Sequence, residues 1–184
     1  MPQTVTYITL VGTPPAGHGR QKEKEMTYRD PDIPVTRQAV DSGWAIRHGV
    51  VGGLIAGVIF AMTEMIYAWI TAGNFWGPMK MIAGIPLQTP PPQIDLVMGI
   101  IVGMMTHMVM SVMFGVIAAY IVAAMPSLRH SAMATVIFTS LFGLTLWLMN
   151  FYVIAPMLNA PWFASQANPL WQGFIAHTFF YGTV

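Results

Sequence analysis

Residues Ile46–Ala72 read IRHGVVGGLIAGVIFAMTEMIYAWITA, and after Arg47 this stretch carries one formal charge, Glu64. A helix rising 1.5 Å per residue needs roughly 20 predominantly apolar residues to cross a hydrocarbon core ~30 Å thick. The stretch is long enough and apolar enough to do so. Three further apolar segments follow: Ile94–Met125, Ser131–Ala155 and Pro169–Val184. The first two also have membrane-spanning length. The last covers only about 24 Å at helical rise, so it is expected to be short and tilted or, preferably, to continue past Val184. The expectation is an all-α protein, a four-transmembrane-helix bundle spanning about 46–72, 94–125, 131–155 and 169–184. The domain 44–184 follows an extended polar arm, 1–43.

Composition supports this class. Of 184 residues 55% are hydrophobic and 8% charged, and the mean hydropathy is +0.58, whereas soluble domains average about 25% charged residues. Six of the eight Lys/Arg and five of the seven Asp/Glu precede residue 48. A net charge of +1 with no basic run beyond the arm excludes nucleic acid as an expected partner. With no cysteine, disulfides, thiolate metal sites and thiol nucleophiles are excluded. The N-terminal MPQTVTYITLVGTPP lacks the basic and long apolar regions of a cleaved signal peptide.

Arg29, Arg37 and Arg47 precede the first segment and Arg129 follows the second, while the opposite side holds only Lys80. The positive-inside rule then expects both termini in the cytoplasm of a bacterial-type inner membrane, with loops 73–93 and 156–168 outside. Those loops mix Trp, Pro and small residues. They are expected to lie along the membrane surface or against a partner, without long regular helices.

Steps of four along the second segment give Gly99, Gly103, His107, Ser111, Gly115 and Ala119; along the first they give Gly49, Gly53, Gly57 and Ala61. Beside the latter runs Gly52, Ala56, Phe60, Glu64 and Ala68. Small residues at this spacing let transmembrane backbones approach closely, so these two helices are expected to pack together.

Four strong polar groups lie at similar depth. Counted from the outer helix ends, Glu64 and His177 are about 13 Å in, His107 about 18 Å and Asn150 about 9 Å. Ionisable groups at such depth are costly and usually face the protein interior. Hydrogen bonds across helices would account for Glu64, His107, Asn150 and His177 as a layer that fixes register. A b-type haem ligated by His107 and His177 is the sharpest alternative. Glu64, His107 and His177 could also form a facial triad for a non-haem metal. Met104, Met105, Met108, Met110 and Met113 offer soft ligands for copper(I), although they spread around the helix. A proton path through Glu64 and the imidazoles is a further alternative.

Enzyme signatures are missing: the chain has no GxSxG, no glycine-rich phosphate loop, no HExxH and no CxxC. No catalytic residue is expected.

Taken together, the glycine-rich first helix, Gly103 with His107, the run NFYVIAPM from Asn150 to Met157, and Gly173 with His177 followed by Tyr181 and Gly182 form a pattern. It resembles a bacterial family of small four-helix integral membrane proteins of unknown function, over roughly residues 48–184. The resemblance implies the four-helix fold, two intramembrane histidines as a shared feature and a continuation past Val184, but no activity. The arm lies outside it. Such a charged, proline-rich segment becomes ordered by wrapping a partner. The chain is therefore expected to be a non-catalytic accessory subunit of a larger membrane complex of respiratory, photosynthetic or oxygenase type. Lipids and other membrane subunits would be its partners. The alternatives are a haem or metal electron carrier and a small transporter using Glu64.

Overall fold

The computed structural model describes residues 40–163 and 169–183. The arm up to residue 39, including most of the short helix expected near Val35–Ser42, lies outside them, as do residues 164–168. Every regular element among the described residues is helical. Three helices are long and apolar enough to cross a membrane: α1 (Ser42–Ala72), α3 (Leu96–Ala124) and α4 (Ala132–Met157). Between α1 and α3 lies α2 (Gly77–Leu87), and the last element, α5, is Pro169–Tyr181.

The helix boundaries follow local chemistry. Asp41 caps α1 by accepting a 2.9 Å hydrogen bond from the Trp44 amide, which starts the helix four residues before the expected Ile46. Gly73, with φ 63°, ends it in the left-handed conformation that glycine adopts without steric cost. Asp95 caps α3 by accepting from Val97 and Met98, and Ser131 caps α4 by accepting from Ala134.

Two elements differ from the sequence expectation. The loop 73–93 contains α2, an eleven-residue helix packed along α3. Pro78 falls in its first turn, where a missing amide hydrogen costs nothing, and Pro86 sits at its end. The fourth segment is helical only over the 13 residues of Pro169–Tyr181, wound in wide π turns, and is not among the helices of membrane-spanning length. Helix α4 also widens to a π turn at Asn150–Ile154, where the Ala155 amide reaches back to the Asn150 carbonyl. Pro156 has no amide hydrogen to continue the regular ladder there.

The glycine ridges zip α1 onto α3. A Cβ on Gly53 would lie 2.5 Å from the Ser111 carbonyl oxygen, and one on Gly115 would lie 2.5 Å from the Gly49 carbonyl oxygen. The buried residues of α1 are Ala45, Gly49, Gly53, Ala56, Gly57, Ala61, Glu64 and Met65, and those of α3 include Gly99, Gly103, His107 and Ser111. The α3 ridge divides its work. Its C-terminal half meets α1, whereas Gly99 abuts the Lys80 side chain and Gly103 the Met79 backbone, both of α2. Gly52 has nothing within 4 Å of a built Cβ and is no packing residue. Helix α5 packs on α4 through Gly143, Gly173 and Gly182, which meet His177, Trp147 and Thr139.

Large apolar side chains such as Ile55, Val58, Ile70, Met105, Val109 and Ile137 point outward. In water such exposure would be costly; against lipid it is the expected outer face. The ends of the bundle are tied separately. At one end the Arg129 guanidinium lies 5.9 Å from the Trp44 ring centroid. At the other, Gln88 donates to the Leu158 carbonyl at 3.1 Å and Trp162 to that of Met81 at 3.2 Å. The two expected outer loops thus pack on each other, with Trp162 turned into the fold.

Candidate functional site

The bundle contains a partly open cavity of about 200 Å³. Glu64 from α1, His107 from α3, Asn150 from the π turn of α4 and His177 from α5 all line it. The polar groups that sequence spacing put at similar depth therefore converge on one space. The rest of the lining is mostly apolar, including Met79, Ile82, Met110, Leu146 and Ile154.

Each polar side chain is held by a definable local feature. His107 reaches α1 because the close glycine contact brings the two backbones together, and its Nε2 lies 2.9 Å from the Gly57 carbonyl oxygen. Ser111, one turn along, places its Oγ 3.5 Å from the same nitrogen. The Tyr181 hydroxyl donates to the Ser111 carbonyl at 3.0 Å, tying α5 to α3 beside the cavity. Phe60 packs against three of these rings: stacked with His107 at 5.9 Å, and edge-on to His177 at 4.7 Å and Tyr181 at 6.0 Å. Phe151 meets His177 edge-on at 5.6 Å. Glu64, His107 and His177 are all buried. Among the described residues, Asn150 Oδ1 is buried with no hydrogen-bond partner.

Phe60, Phe151 and Tyr181 carry no sequence signal as cavity residues, because an aromatic in a transmembrane segment reads equally well as a lipid-facing side chain. Only the four-residue step from Phe60 to Glu64 hinted at a shared face.

The metal and cofactor expectations do not fit this arrangement. Among the described residues no three His, Cys, Asp or Glu side chains come close enough to hold a metal ion, so Glu64, His107 and His177 form no facial triad. A bis-imidazole haem needs both histidines to present a nitrogen to one iron atom across a broad porphyrin slot. Here His107 Nε2 is turned to Gly57 and both imidazoles pack on Phe60. The methionines gather no soft-metal site either: Met105 and Met113 are exposed on the outer face, and of the five only Met110 lines the cavity.

Comparison with known proteins finds no matching family model, no matching curated protein and no matching solved structure.

Proposed function

We propose that this is a non-catalytic integral membrane protein that holds a small, mostly apolar molecule with a hydrogen-bonding head in the cavity lined by α1, α2, α3, α4 and α5. The observation that carries this is the convergence of Glu64, His107, Asn150 and His177, from four helices, on one otherwise apolar space. A concave apolar site with a few convergent polar groups is the ordinary form of a small-molecule site. In this reading α5 completes a four-helix unit of the kind the sequence resembles. The lysine and arginine distribution supports a placement with both termini in the cytoplasm of an inner membrane.

A ligand that binds only the folded state raises its stability by mass action. Purified protein titrated with an organic extract of its own membranes is expected to melt at a higher temperature. Met110→Trp, which fills the cavity, is expected to abolish that rise while still folding. An equal rise in both proteins, or none in either, contradicts the proposal.

The charged arm favours a second, compatible role as a subunit of a larger membrane assembly. The helix ridges give that role no support, since α1, α2 and α3 consume them within the chain. Deleting residues 1–39 should release co-purifying subunits and leave the bundle folded; unchanged co-purification removes this role.

A further inference from the structure

We infer that the head group taken by the cavity is a hydroxyl, so that the ligand is a slender apolar alcohol. This rests on the binding reading above and names the chemistry of the same site. Two acceptors carry it. Asn150 Oδ1 is buried beside the cavity with no hydrogen-bond partner, and a buried polar atom left in this way is costly unless something donates to it. The second acceptor follows from the tautomer of His107. A carbonyl oxygen only accepts, so the 2.9 Å contact to Gly57 requires the hydrogen on Nε2. In a neutral imidazole that leaves Nδ1 as a lone-pair acceptor, on a ring that lines the cavity.

Ketones, esters and ethers bring acceptors only and can donate to neither Asn150 Oδ1 nor His107 Nδ1. A hydroxyl donates to one of them, and its oxygen can accept from the Asn150 Nδ2 amide. An ammonium also donates and could pair with Glu64 in the same lining, so dodecylamine is the competing probe in the test. The π turn that begins at Asn150 is a feature that often marks functional positions in helices.

The test uses the full chain in detergent and four probes of matched chain length: dodecanol, dodecyl methyl ether, the corresponding methyl ketone and dodecylamine. Apparent affinity is read from the shift in melting temperature against probe concentration. Dodecanol is expected to bind about tenfold more tightly than the ether or the ketone, the size of one hydrogen bond to a buried acceptor. In Asn150→Leu, which removes one acceptor and keeps the side-chain bulk, the preference should fall to about twofold or less. Ether or ketone binding as tightly as the alcohol, or amine binding more tightly, overturns the hydroxyl assignment. If that binding is lost in Met110→Trp, the cavity reading stands. Binding of all four probes that Met110→Trp leaves unchanged, or no binding at all, overturns the cavity reading itself.

Discussion

His107 Nε2 lies 2.9 Å from the carbonyl oxygen of Gly57, so a histidine near the middle of α3 is fastened to the backbone of α1. The contact depends on Gly57 having no side chain: a Cβ there would sit 2.7 Å from Ser111 Cβ and 2.8 Å from its Oγ. Packing and hydrogen bonding are thus one feature. Replacing His107 by Phe keeps an aromatic ring against Phe60 and deletes the bond. The expected loss is about 0.6–2 kcal/mol, the usual scale of interhelical hydrogen bonds in membranes. Chemical or thermal unfolding in mild detergent reads it, and an unchanged midpoint would show the bond to be idle.

The glycines of α1 separate cleanly into working and idle positions. Gly53→Ala drives a methyl group into the Ser111 backbone and is expected to cost about 1–3 kcal/mol through forced separation of α1 and α3. Gly52→Ala, one residue away, meets nothing within 4 Å and should be neutral or slightly stabilising, since alanine is the better helix former. Equal destabilisation by both substitutions would contradict the placement of α1 on α3.

Phe60 ties the layer together through its ring contacts with His107, His177 and Tyr181. Phe60→Leu keeps an apolar side chain but loses these aromatic pairs, each worth about 0.5–1.5 kcal/mol. A drop in stability of about 1–3 kcal/mol is expected, without loss of helicity by circular dichroism. No loss would remove Phe60 from the account.

The cap of α3 makes a pH prediction. Amide hydrogens of Met98 and Val97 hold the Asp95 carboxyl below its ordinary value of 3.8, with a smaller contribution from nearby Lys80. A carboxyl whose folded value is depressed stabilises the fold above its unfolded value, and that contribution disappears as pH falls through the folded one. Wild-type protein should therefore be more stable than Asp95→Ala at neutral pH. The difference should begin to shrink as pH drops below about 4. A difference independent of pH would mean that the ionised cap plays no part.

Sequence alone carried much of this structure, for identifiable reasons. Length and apolarity mark α1, α3 and α4, and the four-residue step marks Gly49, Gly53, Gly103, His107 and Ser111, because that step is the helical face itself. Counting residues from the helix ends brought Glu64, His107, Asn150 and His177 to similar depth, where they do line one cavity. Helix α2 escaped because Pro78 and Pro86 read as breakers, although one falls in the first turn and the other at the end. Gly52 heads a row whose later members Ala56 and Glu64 are buried, yet at Gly52 itself a Cβ would meet nothing within 4 Å among the described residues. The three-ligand grouping of Glu64, His107 and His177 is not found among the described residues for a related reason: residue types at one depth say nothing about where their nitrogens point. Only the tertiary contact to Gly57 fixes that for His107.

The most direct measurement of the central claim is native mass spectrometry of the full chain released gently from the membrane. The account predicts a non-covalent adduct of one small apolar molecule on the wild-type protein, and its absence from Met110→Trp folded under the same conditions. Bare polypeptide mass for both proteins, or the same adduct on both, would contradict it.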